Sequence, residues 1–123
     1  MVIDEELLID IGPSCFDNAA RFGVNLSKLK TLLVTHPHED HLYPQHLHWR
    51  NTDESLLPLT YVEKMRHGGP RFTDIPQLNI YGNSFVMETL RKSLDDMEEL
   101  KINLHEIREG KEEKTDGYRI LPV

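Results

Sequence analysis

The chain has 123 residues and a net charge of -7; hydrophobic residues make up 38% and charged residues 28%. That supports one modest core in a single domain and argues against a disordered chain. It holds no apolar run near the roughly 18 residues of a membrane span, and a start without a basic-then-apolar signal segment. With one cysteine, Cys15, there is no internal disulfide framework, which fits a reducing, cytoplasmic setting. No segment is strongly basic: residues 21–82 carry seven Lys/Arg against six Asp/Glu, so a surface for duplex nucleic acid is not expected.

In chain order, Leu7–Ile11 reads as a short buried strand stopped by Gly12-Pro13. Asp10 inside that run is unusual, because a buried carboxylate without donors costs several kcal/mol. Ser14 or Asp17 could cap a helix through Phe22, ended by Gly23. Ser27–Lys30 is a turn, and Thr31–Thr35 a second buried strand. Leu42–Arg50 reads as a helix with Pro44 in its first turn. Residues 51–77 are an irregular excursion with one short helix at Leu59–Met65. Gln77–Tyr81 is a strand. A helix capped by Asn83 or Ser84 follows, with Met87, Leu90, Leu94 and Met97 on its apolar stripe. Lys101–Ile107 is a strand, Glu109–Gly117 a charged hairpin tip, and Tyr118–Val123 a last strand.

The chemistry concentrates in His36-Pro37-His38-Glu39-Asp40-His41, which follows a buried apolar strand. Alternate residues of an extended segment point the same way, so His36 and His38 can reach one metal ion. Asp40 and His41, expected at the start of the next helix, can reach a second ion beside it, and a helix N-terminus favours the negative Asp40. Imidazole and carboxylate suit zinc and its first-row neighbours. A shuffled chain of this composition yields the four-residue pattern only about twice in a thousand.

Other residues have blander readings beside their functional ones. His46 and His48 are polar residues on the following helix rather than ligands. Lys64, Arg66, His67 and Arg71 around Gly68-Gly69-Pro70 are ordinary loop charges ahead of a phosphate-facing loop. Cys15 is a packed side chain, and Tyr43 and Trp49 are core or pocket-wall residues.

The motif segment resembles the metallo-β-lactamase superfamily of metallohydrolases. Leu7-Leu8-Ile9-Asp10-Ile11-Gly12-Pro13 is similar to that family's first motif and Thr35–Leu42 to its second. The spacing is most similar to the phosphodiesterase and tRNA-processing branch. The resemblance implies an α+β fold: an αββα sandwich of two mixed sheets with helices outside, mainly its first half. It implies His36 and His38 on the first metal, Asp40 and His41 on the second, and Asp40 as the catalytic carboxylate. Asp10 would hold the loop from behind without touching metal. Two zinc ions share a water in the complete family site, and the resulting hydroxide attacks phosphorus or carbonyl centres; Mn²⁺ or Fe²⁺ are alternatives to zinc. Family members are longer and place further His and Asp ligands after a strand like Tyr118–Val123. His105, inside a strand, is no substitute for them. Residues 1–123 are therefore expected to be a single incomplete domain, holding one metal ion or none and self-associating through an exposed sheet. The implied activity is hydrolysis of small-molecule or nucleotide-type phosphodiesters. A different class competes with it, a catalytically inactive metal-binding half-domain.

Overall fold

The computed structural model describes residues 1–50, 75–95, 97–115 and 117–123, with nothing said of the side chains of Ser27 and Trp49. The expected helix at Leu59–Met65, the loop cations Lys64, Arg66, His67 and Arg71, and the side-chain role of Trp49 lie outside the described part.

Five strands form one sheet in chain order: β1 (Val2–Ile3), β2 (Leu7–Ile9), β3 (Thr31–Leu33), β4 (Leu78–Gly82) and β5 (Ile102–Glu106). β1 pairs antiparallel with β2, and β2 to β5 are parallel. Parallel neighbours need a crossover. Helix α1 (Cys15–Phe22) supplies it between β2 and β3, and α2 (Ser84–Ser93) between β4 and β5.

The register explains the core. Leu8, Leu32 and Ile80 lie side by side across β2, β3 and β4. With Val34, Leu78 and Ile102 they form one apolar face, on which Val86, Met87, Leu90 and Leu94 pack. The other face carries Leu7, Thr31 and Tyr81, all buried. It meets a hairpin of β6 (Glu113–Thr115) and β7 (Tyr118–Ile120), where the Thr31 and Thr115 hydroxyls lie 3.4 Å apart. The Tyr118 hydroxyl donates to Asp4 at 2.8 Å. A small second sheet thus starts on the face opposite the helices. This is the mixed α+β layering expected, over part of a sandwich.

Helix ends follow local chemistry. Asn83 caps α2, its Oδ1 accepting from the Val86 N–H at 3.0 Å. Ser14 sits at the N-cap of α1 without a side-chain cap bond. Gly23, at φ 69°, ends α1 in the left-handed conformation that suits a residue without Cβ.

Several expectations need correction. The strand expected over Leu7–Ile11 stops at Ile9, and Asp10 turns to a left-handed φ of 59°. The second ends at Leu33 rather than Thr35. α2 ends at Ser93, leaving Met97 beyond it. The hairpin strand β6 occupies part of what was read as the tip.

The expected helix over Leu42–Arg50 is a 3₁₀ helix over Pro44–Arg50, so Asp40 and His41 do not start a helix. The cause is tertiary. Leu42 bridges Ile11 in parallel, and the Tyr43 N–H donates to the Ile11 carbonyl at 2.7 Å, which holds the chain extended up to Pro44. The buried side chains Leu47 and Arg50 then recur every three residues, the 3₁₀ period. Arg50 is 1% exposed. It donates to the carbonyls of Leu100 at 2.9 Å and Pro76 at 2.6 Å, tying this segment to the approaches of β4 and β5. Burial pushes its pKa down to about 10. Its place in the core is not visible in the residue pattern.

Candidate metal centre

The motif loop leaves the sheet at the C-terminal end of β3. The Val34 N–H still bonds to the Tyr81 carbonyl at 2.9 Å. The loop then folds back on itself, the His41 and Leu42 N–H groups both donating to the His38 carbonyl at 2.9 and 2.8 Å. Its far end is stitched to the segment after β2, where the Ile11 N–H donates to the His41 carbonyl at 2.8 Å. Gly12 is required at that crossing. A Cβ there would run into the Asp40 carbonyl oxygen.

This frame brings His36, His38 and Asp40 together. One ligand atom from each lies within 4.8 Å of the others, with His36 half-buried and the other two exposed. Donors about 2.1 Å from a shared ion lie at most about 4.2 Å apart, so adjustments on the order of an ångström close the set on one ion. Two imidazoles and a carboxylate are the donor types that zinc, manganese and iron accept. The residues present therefore fit a divalent metal. Asp40 lies with the two histidines, and its Oδ2 is also 3.3 Å from His41 Nε2.

His41 stands beside the group, its ring centroid 3.8 Å from that of His36. Its Nδ1 lies 2.8 Å from Asp10 Oδ2 and its Nε2 3.3 Å from Asp40 Oδ2. Asp10 faces the loop, bonding to Thr35 and His41. The left-handed turn after β2 directs its carboxylate at Thr35, whose backbone N–H donates to Oδ1 at 2.8 Å. Burial pushes the Asp10 carboxyl up, but the Thr35 N–H, His41 and the Thr35 hydroxyl outweigh it and hold it below its usual range. The bond to Asp10 raises the His41 pKa above its usual value; partial desolvation opposes this and the charge of Asp40 adds to it.

These shifts set a pH window for the metal-free protein. Asp10, depressed, adds stability above its usual 3.8 that is lost as pH falls through its folded pKa. His41, raised, adds stability below its usual 6.5 that is lost as pH rises through its folded pKa. The urea-unfolding difference between wild type and Asp10→Asn should peak between about pH 4 and 6.5 and shrink on either side. A difference that keeps growing above pH 8 would count against the pair.

The other candidates are structural. His46 bonds to the Pro13 carbonyl at 2.9 Å and stacks on Phe16 at 4.1 Å, with Tyr43 against its edge. His48 is exposed and is not in the three-residue group. His105 on β5 bonds to Asn79 and stacks on Tyr81, so it is occupied in the sheet. Cys15 is half-buried and burial pushes its thiol pKa up, the opposite of an activated nucleophile. Thr35 ends the expected strand and opens the motif segment Thr35–Leu42. Its hydroxyl touches Asp10 and His36, and sequence offers no signal for that beyond its place next to the motif.

An open cleft of about 630 Å³ runs between α1 and the β1–β2 edge, walled by Met1, Leu8, Ala19 and Phe22 and reaching Asp10 and Asp40. Among the described residues, no helix is long and apolar enough to cross a membrane.

No family model matches the chain, and no curated protein does. A solved structure does: the crystal structure of a new diphosphatase from the PhnP family, with a TM-score of 0.61 and 20% identity. The match covers 99% of this chain and 40% of that one. The fold is thus shared with part of that diphosphatase, and this chain spans less than half of its length.

Proposed function

We propose that this chain carries the first half of a metallo-β-lactamase-type hydrolase site, acting on phosphodiesters when the site is complete. The observation that carries the reading is the convergence of His36, His38 and Asp40 at the C-terminal end of β3. The diphosphatase neighbour adds support for phosphorus over carbonyl chemistry.

In this reading His36, His38 and Asp40 would hold a divalent ion such as zinc, with His41 beside them. When bound, such an ion would polarise a phosphoryl oxygen and acidify water towards a pKa of about 7. The protein's own work is positional. Asp10 anchors Thr35 and His41, the Ile11–Leu42 bridge fixes both ends of the loop, and Gly12 lets the Asp40 main chain approach. Catalytic zinc usually takes three protein ligands and an open position. Among the described residues the group supplies three, enough for one ion.

The purified chain is expected to bind one zinc or manganese ion weakly. It should hydrolyse a generic aryl phosphodiester slowly or not at all, any turnover vanishing with chelator. Two tightly held ions, or strong chelator-sensitive turnover, would overturn the one-ion reading. Binding without turnover would favour the inactive half-domain, and no binding at all would remove both. We also propose self-association, supported by exposed Phe22 and Met1 at the cleft. A monomer in light scattering at high concentration would count against it.

A further inference from the structure

Counting hydrogens around Asp10 assigns a role to Thr35. The Thr35 Oγ1 lies 3.0 and 2.9 Å from the two Asp10 oxygens, and an ionised carboxylate has no proton to give. The single hydroxyl hydrogen is therefore committed to Asp10. The same Oγ1 is 3.1 Å from His36 Nδ1. With its hydrogen spent, the hydroxyl can only accept there, so His36 Nδ1 must carry the proton. His41 Nδ1 lies 2.8 Å from Asp10 Oδ2 and 3.5 Å from Thr35 Oγ1. It donates to the carboxylate by the same logic.

We propose that Thr35 is a positioning residue, its hydroxyl relaying the Asp10 carboxylate to His36 so that one acid sets the tautomers of two histidines. His41 is set directly and His36 through the hydroxyl. In both rings a proton is held on Nδ1; this leaves the His36 lone pair on Nε2, while the His41 Nε2 faces Asp40 Oδ2 at 3.3 Å. A ligand imidazole whose other nitrogen is fixed by a donor–acceptor chain binds metal in one orientation and with higher basicity. His38 is not part of the chain of bonds described here, so the effect is specific to His36 and His41. The inference rests on the metal-centre reading for its purpose, though not for its geometry.

The test compares wild type with Thr35→Val, which keeps the shape and removes the hydroxyl, and Thr35→Ser, which restores it. Long-range ¹H–¹⁵N NMR of the metal-free chain reads which ring nitrogen of each histidine carries a proton. His36 should be the Nδ1–H tautomer in wild type and Thr35→Ser, and should shift towards a mixture in Thr35→Val, with His41 unchanged. Titration with Co²⁺, followed by its visible absorption, should show affinity about 10-fold or more weaker in Thr35→Val and largely recovered in Thr35→Ser. An Nε2–H His36 in wild type, or identical His36 tautomers in wild type and Thr35→Val, overturns the relay. If Thr35→Val does not fold, the wild-type spectrum alone decides. If wild type takes up no Co²⁺, the metal reading fails while the NMR result still judges the relay.

Discussion

Replacing His38 by alanine should lower zinc affinity by about 100-fold or more while leaving the fold intact. Structural zinc sites with four ligands bind with about 10–16 kcal/mol, or roughly 3 kcal/mol per ligand. At about 1.4 kcal/mol per tenfold, that is about two orders of magnitude. His38 is exposed, and its backbone carbonyl, which accepts the two loop N–H bonds, survives the substitution. The expected result is near-unchanged urea unfolding of the metal-free protein beside a large loss in a zinc titration. His48→Ala, changing an exposed histidine outside the group, should leave both the unfolding and the zinc titration unchanged. Equal losses in the two variants would show that binding is not localised at the loop. Binding should also weaken as pH falls, because protons compete with metal for the imidazoles.

The second large effect is expected at Gly12, through the main chain. An alanine there places its methyl against the Asp40 carbonyl, a backbone atom that cannot rotate away. Overpacking costs about 1–3 kcal/mol, and a backbone obstacle puts Gly12→Ala near 3. Relief requires the two segments to part, which moves Asp40 from His36 and His38. Stability and metal affinity should therefore fall together. Gly23→Ala is the control: nothing lies within 4 Å of its added Cβ, and only the φ of 69° opposes it. Its cost should be about 1 kcal/mol with metal binding untouched. A Gly12→Ala protein as stable as Gly23→Ala, with unchanged zinc uptake, would mean that the close crossing does not exist.

Both experiments bear on the same architecture. A three-residue group that could hold a metal sits on a loop tied both by its own turn and to the segment after β2. The loop's own turn fixes His38 relative to Leu42, and the Ile11 contacts fix Leu42 relative to β2. Asp10 then locks the start of the loop through Thr35 and its end through His41. The ligands are thus placed mainly by main-chain bonds, which suits side chains that are themselves largely exposed.

Local patterns alone determined a good deal of this protein. Apolar runs around Leu8, Leu32 and Ile80 marked strands because a buried sheet needs consecutive apolar residues. Asn83 and Gly23 marked helix ends because each satisfies a need of the backbone there, a bond for Asn83 and a left-handed φ for Gly23. The His-x-His-x-Asp spacing marked the site because its donor types and proximity are written in the chain itself. Tertiary structure alone decided the rest. Pairing of Leu42 with Ile11 replaced an α-helix by a 3₁₀ segment, because a bridge to a residue 31 positions away leaves no local trace. Arg50 entered the core because carbonyls of Leu100 and Pro76, remote in sequence, happen to meet it. Thr35 came between Asp10 and His36 through the pairing of β2 with β3. Periodicity reports what a segment buries; hydrogen bonds between distant segments decide which way its polar groups face.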